Sequence, residues 1–431
     1  MKDFGRSDDP RVQAQLDRLG NLTLREGRFN LDTVHELFDR LGNPQDRLPP
    51  VFHVAGTNGK GSTCAFLRAM LEAEGNSVHA TTSPHLVRYN ERIRVAGKLI
   101  EDARLAELLE EVFDASQGLE PSFFEVTIAA SFLEFSRVPA DACVVEVGLG
   151  GRLAATNVLE PEVLTACGIA ALGIDHERFL LAPEEGTPEE PMARIAFEKA
   201  GIAKPDVPLV TMSYPDEAIL AIDEQAEKID APLIVQTREW NVSAAGNALA
   251  YADAAGELTL PLPSLPGPHQ AENAALAVAM LRHQSVIPVS PQAIAKGILN
   301  AKWPARLQRL EDGPLTKGRE VWLDGGHNLS AGQMLGENFS GQNLHVIMGM
   351  LEGKDPRAII GPLEQSIRTL TIVPVPGQDS HPSDAFGLNA KAASDAEEAL
   401  LNLPSDDYPA LIVGSLYLAG EILRLNDEIP D

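Results

Sequence analysis

VFHVAGTNGKGSTCAFLRAMLEAEG, residues 51–75, reads as a strand, a glycine-rich turn and a helix. The first six residues are an apolar run. Phe66, Leu67, Met70 and Leu71 then recur at helical spacing, and Gly75 is a stop. Gly56, Gly59 and Gly61 let backbone amides approach a phosphate without side-chain clash. A helix starting near Gly61 aims free N–H groups and its positive dipole end at the same point. Lys60 adds a point charge for the outer phosphates. Ser62 or Thr63 adds a hydroxyl for Mg²⁺ or a phosphate. The spacing departs from the strict Walker pattern, since Gly61 stands where Ser or Thr would follow the lysine. A plain strand-to-helix turn with an exposed lysine is the structural alternative. Strand, loop and helix in this order point instead to nucleotide binding by Gly56, Thr57, Asn58, Gly59, Lys60, Gly61 and Ser62.

Outward from this unit, the pattern keeps alternating. DACVVEVGLGG (141–151), VLTACGIAALGIDH (163–176) and APLIVQT (231–237) read as further strands. A helix at 290–301 and a proline-containing segment, KWPARLQRL, follow. Beyond them, REVWLDGG (319–326), LHVIMGM (344–350), LTIVPVP (370–376) and ALIVGS (410–415) are strand-like, and LYLAGEILRLN is a closing helix. Strands separated by helices argue for parallel sheets covered on both faces. The expected fold is α/β: a P-loop-type, mostly parallel sheet domain over 1–301 and a smaller Rossmann-like α/β domain over 302–431.

The 431 residues carry a net charge of −27, so the average field repels phosphate and argues against nucleic acid or an anionic membrane as partner. Any phosphate site must therefore be a local device. Cys64, Cys143 and Cys167 form no metal pattern or disulfide framework. MKDFGRSDDPR (1–11) has no apolar core of a signal peptide, and no run approaches membrane-spanning length, so a cytoplasmic location is expected. LAPEEGTPEEP (181–191) reads as a solvated acidic loop.

Glu146 lies within an apolar strand run, where a carboxylate is costly unless paired or metal-bound. Ser83 ends VHATTS, and His176 ends another apolar run. Both fall where α/β sheets gather ligands. Taken alone, such a histidine is more often structural, and Lys199 in FEKAG reads as a surface lysine.

The spelling GTNGKGS resembles the Mur ligase superfamily, and the rest of the chain narrows this to the folylpolyglutamate synthase/dihydrofolate synthase family. Matching segments include FNLDTVHELFDRLGNPQ (29–45), TSPHLVRYNERIRVAG (82–97), SFFEVTIAASF (122–132), VVEVGLGGRL (144–153), IDH (174–176) and EKAGIAK (198–204). GPHQAENAALA (267–277), KWPARLQ (302–308), DGGHN (324–328), GMLEGKD (349–355) and VGSLYLAGE (413–421) continue in family order. The resemblance implies an ATP- and Mg²⁺-dependent ligase. It would add L-glutamate to dihydropteroate, to folates or to both, through an acyl phosphate.

It further implies Ser83, Glu146, His176 and Ser62 as Mg²⁺ ligands and a carbamylated Lys199 beside them. Asn273, Arg306 and Asp324 would contact the nucleotide, and His327 the phosphate or glutamate. Phe123 and Phe124 offer flat surfaces for a pterin, and Arg152 a cation for an anionic part of the acceptor. The family usually has Asp at 154; Ala154 cannot accept hydrogen bonds from a pterin. The alternative is therefore a folylpolyglutamate synthase alone. Two rivals remain. A cell-wall Mur ligase would carry a further domain ahead of the turn, and ~50 residues are too few for one. A non-catalytic ATP-binding regulator would not need the metal-centred residues. A monomer that binds only small molecules is expected.

Overall fold

A computed structural model describes residues 5–22, 30–387 and 389–431. Met1–Phe4, within the stretch expected to hold no leader, and Phe29 of the segment 29–45 lie outside them. Eight strands form the largest sheet. They are β1 (Val51–Ala55), β2 (Val78–Thr81), β3 (Ile93–Val95), β4 (Lys98–Leu99), β5 (Ala142–Glu146), β6 (Leu164–Ile169), β7 (Leu209–Thr211) and β8 (Leu233–Val235). Their order is β4-β3-β2-β5-β1-β6-β7-β8. All neighbours from β2 to β8 pair in parallel, and only the β2–β3 and β3–β4 pairs at one edge are antiparallel.

Every residue of β1, β2, β5 and β6 is buried, as a sheet covered on both faces requires. Phe38, Phe132 and Val145 belong to the core on one face, and Phe66, Val144 and Met280 to the core on the other. The helix Lys60–Glu74 is buried on most of its surface because it lies between the sheet and the helices His269–Arg282 and Pro291–Asn300. That explains why its apolar residues spill beyond a single stripe.

A second, antiparallel sheet was not expected from the sequence. It consists of β9 (Trp240–Ala245), β10 (Ala248–Asp253) and β11 (Gly256–Pro261). Two-residue connections link the strands, and Trp240 stacks on Tyr251 at 6.0 Å. The signal was the pair of glycine-containing turns. Alanine-rich alternation hid the strand period between them.

The third sheet contains β12 (Gln308–Arg309), β13 (Val321–Leu323), β14 (Leu344–Met348), β15 (Ile367–Ile372), β16 (Lys391–Ala392) and β17 (Ala410–Val413). Its order is β12-β13-β17-β14-β15-β16, with only the β12–β13 pair antiparallel. The architecture is thus the expected α/β type with two mostly parallel sheets. Leu86 and Val87 of the β2–β3 connection pack into the core of the third sheet, and a side chain at Gly420 would strike the Leu86 carbonyl. The two layered units therefore meet closely beside the carboxyl end of β2.

Candidate active site

Parallel pairing fixes the site. β1, β2, β5 and β6 are adjacent and co-directional, so the segments leaving them emerge at one edge. They deliver the glycine turn, Ser83, Glu146, and the segment that leads to Asp175 and His176.

At the turn, Gly56 and Gly59 have φ of 147° and 82°, backbone that side-chain-bearing residues rarely adopt. A Cβ on Gly56 would lie 2.9 Å from Cβ of Ala170, one on Gly59 would strike the Asn273 amide, and one on Gly61 would enter the Trp303 indole. The glycines are therefore needed for packing as well as for an approaching phosphate. The amides of Thr57 and Asn58, expected to face phosphate, instead donate to the Ala171 carbonyl at 2.9 and 3.0 Å. The free first-turn N–H groups of a phosphate cradle are left to the start of the helix at Lys60, Gly61 and Ser62. Lys60 is not an outlying surface lysine: its Nζ donates to the carbonyls of Gly56 and Thr57 at 3.2 and 3.3 Å.

Behind the turn, Gln270 Nε2 donates to Ser62 Oγ at 3.3 Å, and Asn273 donates to Gln270 at 3.1 Å. Asn273 is thus tied to the phosphate loop through a residue that sequence reasoning left without a role. Among the described residues, Thr63 Oγ1 is buried with no hydrogen-bond partner.

Glu146 is 4 % exposed and accepts the Ser83 amide at 2.8 Å. Burial raises its pKa, against the pull of Lys60, the Ser83 amide, Arg306 and Arg92. A carboxylate desolvated among cations suits a divalent ion. So does His176, whose imidazole is brought down to about 4 by burial and is neutral at physiological pH. Among the described residues, no group of three or more His, Cys, Asp or Glu could hold a metal ion. A Mg²⁺ site here would draw on hydroxyl oxygens, one carboxylate, one imidazole and phosphate.

Lys199 is 3 % exposed, contrary to the surface position that its local sequence suggests. Its Nζ donates to the Gly150 carbonyl at 3.1 Å. Burial and the charge of Lys60 bring its pKa down to about 7. A neutral, nucleophilic amine is the form that carbamylation requires. Gly151 and Gly201 permit this arrangement: a Cβ on Gly151 would press on the backbone of Glu198 and Lys199, and one on Gly201 on Arg152.

Arg152 itself is held by two carboxylates, at 2.6 Å from Glu184 and 2.9 Å from Glu198. Arg194 bonds the same two, at 3.0 and 3.1 Å. The acidic loop thus contributes Glu184 to a neutral quartet and is not wholly solvated.

Phe123 and Phe124 open the helix Phe123–Phe135, capped by Ser122 and Glu125 in a reciprocal box. Both rings are partly buried. Phe123 meets Tyr89 edge-on at 6.0 Å, with the Arg92 guanidinium 5.3 Å away, and Phe124 covers Gly148. Ala154 is 5 % exposed in the turn after Arg152.

From the other side, Asp324 accepts the amides of Leu307 and Gly326, each at 2.7 Å. It thereby braces the linker around Arg306, whose neighbours Ala305 and Leu307 both have positive φ, at 55° and 46°. His327 Nδ1 lies 3.1 Å from the Gly325 carbonyl, and its Nε2 is 3.8 Å from Asp175. Asp175 also pairs with Lys354 at 2.5 Å across 179 residues. Burial would raise Asp175, but His327, His176 and Lys354 outweigh it and hold the carboxyl well below the usual range. Sequence reasoning quoted IDH and GMLEGKD without assigning this pair. An Asp beside a ligand-type His at a strand exit was the available signal.

No family model matches the chain. It is 32% identical over 423 residues to the dihydrofolate synthase/folylpolyglutamate synthase of Bacillus subtilis, covering 91% of this chain and 94% of that one. Among solved structures, it resembles Escherichia coli FolC in complex with DHPP and ADP, with TM-score 0.84, 30% identity, and 96% and 97% of the two chains covered. It also resembles a bifunctional folylpolyglutamate synthase/dihydrofolate synthase with Mn, AMPPNP and L-glutamate bound, with TM-score 0.83, 28% identity, and 96% and 97% covered.

Two outcomes test this geometry. Glu146→Gln raises the melting temperature of the metal-free protein at neutral pH, because the folded-state pKa is raised and the buried charge is therefore destabilising above it. The same variant loses high-affinity Mn²⁺ binding, read by electron paramagnetic resonance. Lys199→Met is more stable than the parent at pH 6, and the difference shrinks as pH rises from about 7 toward 10.5, the range over which the parent's folded amine is already neutral. Thermal melts across that range read it.

Proposed function

This chain belongs to the dihydrofolate synthase/folylpolyglutamate synthase family, and we propose how its own residues divide the work. It is an ATP-dependent ligase that joins L-glutamate to dihydropteroate or folates, using a divalent metal. The observation that supports the assignment of roles is the shared strand edge. Lys60, Ser83, Glu146, His176 and Lys199 gather there, with Arg306 as a further charge acting on Glu146.

An oxygen of the acceptor carboxylate attacks the terminal phosphorus of ATP and displaces ADP. The amine of glutamate then attacks the acyl carbon and displaces phosphate. Lys60 and the first-turn amides grip the phosphates, and Arg306 neutralises charge that develops on the transferred group. Ser83, Glu146, His176, Ser62 and a carbamylated Lys199 would hold Mg²⁺, which offsets charge on the phosphoryl group. Asn273 and Asp324 border the nucleotide, Asp324 by bracing the linker that presents Arg306. His327 faces the phosphate or the incoming glutamate. Phe123, Phe124, Arg152 and Ala154 border the acceptor, with Arg152 already engaged by Glu184 and Glu198.

We place the division of labour at residue 302: 1–301 binds nucleotide and acceptor, and 302–431 closes over them. We also place the protein in the cytoplasm as a monomer without nucleic-acid partners, in keeping with its net charge of −27. No helix among the described residues is long and apolar enough to cross a membrane.

The deciding experiment mixes ATP, Mg²⁺, labelled glutamate and either dihydropteroate or tetrahydrofolate. ADP release coupled to label incorporation is expected. Absence of both with every acceptor would overturn the reading. Arg306→Ala lowers kcat by roughly 10²–10³-fold, the scale of losing one oriented charge-stabilising group. Ala154→Asp lowers KM for dihydropteroate, because the new carboxylate accepts hydrogen bonds from the pterin. An unchanged KM would show that position 154 does not touch it.

A further inference from the structure

Asp175 lies in the segment leaving β6, yet the cation that neutralises it comes from the other unit: Lys354, in the segment leaving β14. Their side chains are 12 % and 17 % exposed, so the pair escapes most of the screening that makes surface pairs weak. Oδ1, the oxygen that Lys354 Nζ meets at 2.5 Å, also accepts the backbone amide of His176 at 2.7 Å. Oδ2 lies 3.9 Å from His176 Nε2 and 3.8 Å from His327 Nε2, beyond hydrogen-bond reach of either ring.

His176 has a φ of 54°, in the left-handed region that a side-chain-bearing residue enters at a cost. Its carbonyl accepts the amides of Phe179 and Leu180 at 2.9 and 3.0 Å, and its own amide is held by Asp175 alone. The main chain is thus clamped on both sides. The ring, among the described residues, makes no hydrogen bond. A fixed backbone carrying an uncommitted imidazole is what a metal ligand needs. Lys354 is braced in turn. Its amide donates to the Leu351 carbonyl at 3.0 Å, and its carbonyl lies 2.7 Å from His381 Nε2. A second bond, from Asn328 Nδ2 to Asn58 Oδ1 at 3.1 Å, joins the same two units at the nucleotide turn.

We propose that Lys354 is a positioning residue: acting through Asp175, it fixes the backbone that aims the His176 imidazole at the metal, so the metal site is complete only when the unit 302–431 is seated. This deepens the ligase reading and rests on it. A plain interdomain ion pair would hold the units together and leave the ring of His176 indifferent to Lys354. Here one oxygen serves both the lysine and the histidine amide, so loss of the first partner frees the second.

The test is pulsed electron paramagnetic resonance of Mn²⁺ with AMPPCP, on the full chain, with isotopically labelled nitrogen in its histidines. The parent shows coupling of a histidine nitrogen to Mn²⁺, and His176→Ala abolishes it. Lys354→Met loses most of that coupling, and Lys354→Arg keeps it. Lys354→Met/Asp175→Ala loses no more than Lys354→Met, because the two residues act in line. The double variant leaves no unpaired ion, so it decides the matter if Lys354→Met does not fold. In turnover, Lys354→Met lowers kcat roughly 10- to 100-fold, the range for partners of metal ligands, and Lys354→Arg recovers it. Full coupling in Lys354→Met or in the double variant would overturn the proposal. So would equal losses in Lys354→Arg, coupling that survives His176→Ala, or none in the parent. If no acceptor is turned over, the ligase reading fails separately, and the spectra still decide the role of Lys354.

Discussion

Close approach of backbone at the turn 56–61 is the constraint on which the rest of the molecule depends. Gly56 lies against Ala170, Gly59 against Asn273 and Gly61 against Trp303. These three neighbours come from three places: the exit of the strand beside β1, the helix His269–Arg282, and the linker into the third sheet. One turn thereby sets the spacing of nucleotide loop, buried helix and interdomain segment. A phosphate cradle of backbone amides needs no net positive protein, which is how an acidic chain can bind ATP.

Around that turn, charge is arranged by burial more than by exposed pairing. Glu146 and Lys199 are both desolvated, and each is pushed toward its neutral form. Their opposite charges do not cancel one another directly. Glu146 looks toward Lys60 and Arg306, and Lys199 toward the Gly150 carbonyl. Such a site is electrostatically unfinished, and a divalent ion with phosphate oxygens completes it.

Much of this was legible in the sequence where local pattern and tertiary role agree. The run 51–75 announced strand, turn and helix because its periodicity switches at the glycines. Glu146 stood out as a carboxylate in an apolar strand. Lys199 did not, because its burial is created by Gly151, 48 positions earlier in the chain, packing against its backbone. The Asp175–Lys354 pair was equally invisible, since 179 residues separate its members. Several strands end earlier than their apolar runs: β6 stops at Ile169 although apolar residues continue to Ile174. The continuation serves the site edge, where Ala171 caps the amides of the nucleotide turn. The meander Trp240–Pro261 escaped because alanine gives weak contrast between inward and outward positions.

The quartet of Arg152, Arg194, Glu184 and Glu198 sums to zero charge within one partly buried knot. Losing any one member would leave an odd ion with no counterpart, whereas exchanging an acid and a base together for uncharged groups would not. The loop from Leu181 to Glu190 is held at Glu184, at Thr187, whose hydroxyl donates to the Glu184 carbonyl and accepts from Arg194, and at Glu190, which caps the next helix through the Ala193 amide. Divergence there should proceed by coupled rather than solitary replacements.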